Sequence, residues 1–273
     1  MSRPYVHIER NERTIMRLAV LSDIHGNLTA FETAWADVQA QGEFDQIWVL
    51  GDLAAFGPRP AECIRRVVDL REQIGKDKFR VIGGNTDRYM VNGTRPKMPS
   101  AKDEDSFKKL AQMWQGRDTA LNWATSQISY EDYEYLKTIR QQELSLRAEG
   151  YGPVVGYHGS PGDDESNALR PDSPDETARD SLLDREGRLG IGGHTHLQMD
   201  RDLGAWRAIN VGSIGLSFGA PGMAEWGMFT FDNGAVTIDL RRIPYDVQAV
   251  LADFDAVQHP AAQVFSGMGR LKE

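Results

Sequence analysis

The sequence predicts an α/β protein, and three observations carry that reading. Short β-rich runs alternate with helical patterns through residue 84, strand patterns dominate from residue 188, and residues 88–140 between them carry helical patterns only. A chain of 273 residues, 40% of them hydrophobic, also has the length and apolar content to build a substantial core.

Taken in order, RLAVLS (17–22) reads as a buried strand. NLTAFETAWADVQAQG (27–42) follows, with Leu28, Phe31, Trp35 and Val38 at helical spacing and Gly42 suited to a stop. QIWVLG (46–51) is a second strand, PAECIRRVVDLREQIG (60–75) a second helix and FRVIGG (79–84) a third strand. In the helical insertion, 88–140, the patterns are DSFKKLAQMWQ, RDTALNWATSQI and YEDYEYLKTI. The alternating charges of AKDEDSFKK (101–109) read as a solvated helix face, and Trp114 and Trp123 as helix-packing residues. Strands return at QELSLRA (142–148) and PVVGYH (153–158), followed by a polar loop (160–174) and a helix through DETARDSLLDREG. RLGIGG (188–193), LQMDR (197–201), WRAINVG (206–212), EWGMFTFD (225–232) and AVTIDLRRI (235–243) are strands, the last two joined by a turn at Asp232-Asn233-Gly234. The expected organisation is one domain over 1–273, with residues 1–15 an N-terminal extension and 244–273 a C-terminal tail.

Composition excludes several classes. The longest apolar runs, such as Leu18 to Leu21, are four residues, against about 20 for a membrane span, so no transmembrane helix or membrane partner is expected. The first sixteen residues lack the apolar stretch of a secretory signal. Cys63 is the single cysteine, which rules out an intramolecular disulfide, makes a cytoplasmic location the expectation, and reads as a buried apolar residue rather than a reactive thiol. The formal charge of −9 opposes non-specific attraction to nucleic acid, and no specific nucleic-acid partner is inferred.

The chemistry gathers at predicted strand ends. Of six histidines, four, His25, His158, His194 and His196, stand where a strand gives way to a loop. Asp23, Asp52 and Asn85 occupy the same kind of position, in SDIHGN, LGDLAAFG and GGNTDR. Open α/β sheets collect ligands beyond the carboxyl ends of their strands. Asp-x-His and His194-Thr195-His196 place donors at alternate positions, which lets one segment aim two of them at one cation. A set of oxygen and imidazole donors without thiolate suits Mn²⁺, Fe, Zn²⁺ or Ni²⁺.

The motifs Asp23-Ile24-His25-Gly26-Asn27, Gly51-Asp52, Gly84-Asn85-Thr86-Asp87, His158-Gly159-Ser160-Pro161 and Gly193-His194-Thr195-His196, then Asn210-Val211-Gly212-Ser213, make the chain resemble the calcineurin-like metallophosphoesterase superfamily over about residues 16–243. The short length and the HGSP and NxGS segments look most like its small bacterial and archaeal phosphodiesterase branch. The resemblance implies a four-layer αββα sandwich of two mixed β-sheets. It implies two divalent cations, Mn²⁺ the first candidate, with Asp23, His25 and His196 holding one, Asn85, His158 and His194 the other, and Asp52 bridging both. The activity implied is hydrolysis of a phosphate ester, most of all a phosphodiester, with a nucleotide among the candidate substrates, by a hydroxide activated between the two metals. The alternatives are a protein Ser/Thr phosphatase, a dinucleoside polyphosphate hydrolase, or a scaffold that keeps the fold without turnover.

Thr86 departs from the family pattern, in which many members carry a histidine that stabilises the transition state or protonates the leaving oxygen. Asn85, Thr86 and Asp87 are the candidate catalytic residues; a local turn is the competing reading of Thr86-Asp87. Arg88 and Arg95, with Tyr89 and Lys97, are candidate substrate contacts, because they follow Asn85 closely and open the helical insertion. Met16 begins MRLAVLSDIHGN as a small member of this branch would start, so a chain starting there is expected to fold and bind metal normally.

Overall fold

The structure is a computed structural model that describes residues 15–96, 99–140 and 143–263. The expectations for residues 1–14, for Lys97 and for residues 264–273 of the tail lie outside the described residues.

The first half builds β1 (Met16–Leu21), α1 (Leu28–Ala40), β2 (Gln46–Leu50), α2 (Pro60–Ile74) and β3 (Phe79–Ile82). Three helices follow, α3 (Asn85–Asn92), which begins before the expected insertion boundary at residue 88, α4 (Glu104–Gln127) and α5 (Tyr130–Thr138). The second half runs β4 (Glu143–Ala148), β5 (Gly152–Tyr157), α6 (Asp175–Asp180), β6 (Leu189–Gly192), β7 (Met199–Asp202), β8 (Arg207–Asn210), β9 (Met223–Asp232), β10 (Ala235–Pro244) and α7 (Val247–Ala256). Two five-stranded sheets result, ordered β10-β9-β1-β2-β3 and β4-β5-β6-β8-β7. Both are mixed, because β1-β2-β3 and β5-β6-β8 pair in parallel while β9, β10, β4 and β7 add antiparallel edges.

Strand alternation sorts the core into layers. In β1, Leu18 and Val20 point between the sheets, where they meet Trp48 and Leu50 of β2, Ile191 of β6, Ile209 of β8 and Phe229 of β9. Ala19 and Leu21 point the other way, into a cluster with Phe31 and Trp35 of α1 and Ile64 and Val67 of α2. A third cluster covers the far face of the second sheet, where Tyr157 and Ala208 pack on Ala178 and Leu182. The layers are therefore helix, sheet, sheet, helix. Cys63 is fully buried in the helical layer, and Trp123 packs against the same cluster.

Three elements differ from the sequence reading. α4 is one continuous helix through Gly116, although a helical glycine costs about 1 kcal/mol relative to alanine; burial of Ala120, Leu121 and Ala124 holds the helix together. α6 stops at Asp180, and the following residues turn so that Leu182 is buried while Leu183 is 69% exposed. The expected tail contains α7, which Asp246 caps by accepting the Ala249 N–H and whose Val247, Val250 and Phe254 stand at helical spacing against the core, so the ordered domain runs past the expected boundary at residue 244.

Candidate metal centre

The carboxyl ends of β1, β2, β3, β5 and β6 lie at one edge of the two sheets, and the loops leaving them bring all seven expected ligands together. Asp23 Oδ1 lies 3.2 Å from His196 Nε2 and 3.6 Å from His25 Nε2, and the two Nε2 atoms are 3.0 Å apart. With Asp52 they form a buried group whose donor atoms all fall within 4.8 Å of one another. Beside it, Asn85 Oδ1 is 3.0 Å from His158 Nε2 and 2.9 Å from His194 Nδ1. Asp52 Oδ2 stands between the two groups, 3.6 Å from His25 Nε2 and 3.4 Å from His158 Nε2.

Backbone geometry explains the convergence. Among the described residues eight non-glycine positions have positive φ, and five of them are Asp23, His25, Asp52, His194 and His196. A left-handed residue costs roughly 1–2 kcal/mol, so each strand end stores strain that the surrounding bonds must hold. They do so by lacing the loops together: Asp23 N–H donates to Gly51 O, His25 N–H to Asp52 O and Gly26 N–H to Leu53 O. The sequence reading took alternate spacing as enough to aim Asp23 and His25 at one point; the chain achieves it with left-handed turns. Gly84 and Gly193 complete the approach, since a Cβ at Gly84 would fall 2.2 Å from Asp52 Oδ1 and one at Gly193 2.4 Å from Asp23 Oδ2.

The residues fit divalent cations on three grounds. His25 Nδ1, His158 Nδ1 and His196 Nδ1 donate to the carbonyls of Ala55, Leu50 and Leu216, which leaves each neutral Nε2 a bare lone pair facing other acceptors. Acceptors at 3.0–3.6 Å from one another need an electrophile among them. Asp23 Oδ1 is buried without a hydrogen-bond partner, while Oδ2 accepts from Ser22 Oγ and the His194 N–H. The local field also favours positive charge. Burial opposes charge on His158, yet Asp52 and Asp23 outweigh it and lift its pKa to about 10. Burial and the neighbouring positive charge of His158 instead press His194 down to about 4. Burial likewise opposes ionisation of Asp23 and Asp52, but the histidines hold both carboxyls below the usual range.

The other expected site residues fare differently. Asn85 opens α3, with its side chain in the second donor group. Thr86 lines the cleft over the centre, its N–H donates to Asp52 Oδ1, and its buried hydroxyl has no hydrogen-bond partner. Asp87, expected to be catalytic, does not face the cleft. Its carboxylate accepts the N–H groups of Asp52, Leu53 and Gly84, so it fixes the loop that carries Asp52. Burial and then the charge of Asp52 push its pKa up to about 7, against the amides that favour its anion. Arg88 lines the cleft, but it is spent on a bidentate pair with Asp164 and on Glu165 and Thr94. Arg95 binds Asp118 and Asn122 instead, outside the cleft lining.

The bracing contacts and two cleft arginines were not among the sequence expectations. Asn210 Nδ2 donates to Gly193 O and Thr195 Oγ1, and Ser213 Oγ donates to Asp23 O and accepts the Leu216 N–H, so the NVGS motif holds the first and last ligand loops. The motif was visible, but its role depends on contacts 15 and 190 residues away. Arg117 and Arg170 line the cleft from segments far from Asn85 in sequence.

The model of the calcineurin-like phosphoesterase superfamily domain matches residues 16–233. The chain belongs to that superfamily. Its two mixed sheets with flanking helices are those of the metallophosphoesterase sandwich. It resembles a hypothetical protein from Pyrococcus horikoshii OT3 with TM-score 0.74 and 20% identity, covering 92% of this chain and 97% of that one. A metallophosphoesterase from Sphaerobacter thermophilus gives TM-score 0.64 and 24% identity over 93% of this chain and 99% of the other. In sequence, the chain is 34% identical over 115 residues to a symmetrical bis(5'-nucleosyl)-tetraphosphatase of Acidovorax ebreus, covering 41% of this chain and 37% of that protein. The alignments span between 28% and 39% of the length of the curated relatives the chain matches. No helix among the described residues is long and apolar enough to cross a membrane.

Proposed function

We propose that the chain is a dinuclear metal-dependent phosphodiesterase. The observation that carries this reading is the placement of Asp52 Oδ2, 3.6 Å from His25 Nε2 and 3.4 Å from His158 Nε2, as an oxygen shared by two otherwise separate donor groups. Asp23, His25 and His196 would hold one cation, Asn85, His158 and His194 a second, and Asp52 both. When bound, the pair supplies Lewis acidity, lowering the pKa of a water and neutralising phosphoryl charge, with Mn²⁺ the first candidate. The Nδ1–H bonds to Ala55, Leu50 and Leu216 fix the orientation of the imidazoles and leave Nε2 the atom that faces the centre. Asp87 holds the loop of Asp52, and Ser213 that of Asp23, so both carboxylates are set before substrate arrives. Position 86 on the cleft wall carries a threonine, whose hydroxyl is a poor acid at neutral pH, so the chain favours esters whose leaving oxygen needs no proton.

A second reading, favoured by the similarity to symmetrical bis(5'-nucleosyl)-tetraphosphatases, is cleavage of a nucleoside polyphosphate anhydride, whose leaving group is also a stable anion. A cytoplasmic setting is part of the proposal and rests on the single cysteine, Cys63. The test is metal analysis of purified protein, with a Mn²⁺-supplemented assay of bis-p-nitrophenyl phosphate against p-nitrophenyl phosphate. About two equivalents of bound metal and preference for the diester are expected. Turnover at the wild-type rate by Asp52→Asn would overturn the dinuclear reading.

A further inference from the structure

We infer that Arg117 binds a second anionic group of the substrate, on the part that does not contain the scissile bond. The inference rests on the phosphoesterase reading above and extends it to the class of substrate.

The cleft over His25, Asp52, Asn85, His194 and His196 encloses about 700 Å³, far more than one phosphate fills and within the range of drug-sized ligands. Its walls carry three arginines, Arg88, Arg117 and Arg170. Arg88 is neutralised by Asp164 and Glu165, and Arg170 donates to Asp172. Arg117 makes no hydrogen bond or ion pair with any described residue, although it is only partly exposed. The acid next to it on α4, Asp118, faces another stripe of the helix and is taken by Arg95. An arginine half removed from water with no counter-charge is unfavourable unless a ligand supplies one.

Position and chemistry define that ligand. Arg117 and Leu121 are four residues apart, so they share a helix face, and both line the cleft. Leu121 is 2% exposed, which roots that face in the core and carries the guanidinium on a rigid helix rather than on a loop. Asp163 and Glu165 make the neighbouring wall acidic, so an anion with more than one charge needs a cation beyond the metal centre. A guanidinium fork matches a phosphate or carboxylate with two parallel N–H bonds. The fitting substrate is a phosphate ester or anhydride with a negative group on its far part, such as a polyphosphate chain or a phosphorylated nucleoside, rather than a diester of two neutral groups.

The experiment compares Mn²⁺-loaded wild type with Arg117→Gln and Arg117→Lys at one fixed free Mn²⁺ concentration. Titration calorimetry gives the Kd of orthophosphate and of tripolyphosphate, and hydrolysis of bis-p-nitrophenyl phosphate gives kcat and KM. Chelation by tripolyphosphate in solution is the same for each protein and cancels in the comparison. Expected for Arg117→Gln is a weakening of tripolyphosphate on the order of 10- to 100-fold, with orthophosphate Kd and kcat/KM for the diester within about twofold of wild type; Arg117→Lys falls between. A tripolyphosphate Kd unchanged within about twofold, or equal weakening of both anions, overturns the inference. Wild type that binds both anions but turns over no diester would defeat the phosphoesterase reading, while the two Kd values still decide the role of Arg117.

Discussion

Replacing Asp87 by asparagine separates a bracing role from a catalytic one. Asp87 Oδ2 accepts the N–H groups of Asp52 at 2.8 Å and Gly84 at 3.0 Å, and Oδ1 that of Leu53 at 2.9 Å. An amide has one acceptor oxygen. Its better orientation keeps the two bonds to Asp52 and Gly84 as neutral ones, losing about 1 kcal/mol each, and turns an NH₂ group toward the Leu53 N–H, leaving a buried donor unpaired for a further ~1–3 kcal/mol. The total of roughly 3–5 kcal/mol corresponds to a melting point lowered by about 10 °C in a domain of this size. Thermal unfolding is best followed at pH 8, above the value of about 7 to which burial and Asp52 push the Asp87 carboxyl. The loop carrying Asp52 should loosen as well, so metal stoichiometry should drop alongside the melting point. A shift smaller than about 3 °C with full metal content would refute this reasoning, and if activity nevertheless vanished, Asp87 would be acting chemically.

Three further outcomes follow from the same geometry. Gly84→Ala places a methyl 2.2 Å from Asp52 Oδ1 and 2.7 Å from Asp52 N, so it should displace the shared carboxylate and lower bound metal below the wild-type equivalents by elemental analysis; full retention would mean that the loop yields freely. Rates for substituted aryl diesters should fall steeply with rising leaving-group pKa in the wild type and less steeply in Thr86→His, with a gain of up to about 10²-fold on the poorest leaving groups, and equal slopes would mean that another group already supplies the proton. Burial opposes ionisation of Asp37, but its bonds to Arg241 and Trp226 lower its pKa below the ordinary 3.8; this contribution is complete above 3.8 and is lost as pH falls through the lower folded-state value. Asp37→Asn should therefore destabilise the protein to urea at pH 6 by about 1–2 kcal/mol, and the gap should shrink toward pH 2; a gap independent of pH would remove the charge from the account.

The sequence by itself determined most of the buried strands and helices and which seven polar residues stand at strand ends as candidate ligands. Short continuous apolar runs and helical spacing placed the strands and the first two helices of the first half, because those patterns arise from local geometry that a short window contains. The candidate ligands were legible for a similar reason: aspartate and histidine next to glycine, immediately after an apolar strand, mark a chain end suited to hold a polar group. What only the tertiary structure decided is how those ends meet. The 3.0 Å approach of His25 and His196, 171 residues apart, depends on two sheets packing face to face and on left-handed backbone that no local pattern announces. The same distance effect reassigned the charges. Arg88 and Arg95 follow Asn85 closely in sequence and find acidic partners on the 160–167 loop and on α4, whereas Arg117, midway along α4, lines the cleft without an ion pair to any described residue. Proximity along the chain predicts what a residue can touch only within a turn or two; beyond that, packing of the layers sets the neighbours, and with them which carboxylate braces a loop and which is free to bind.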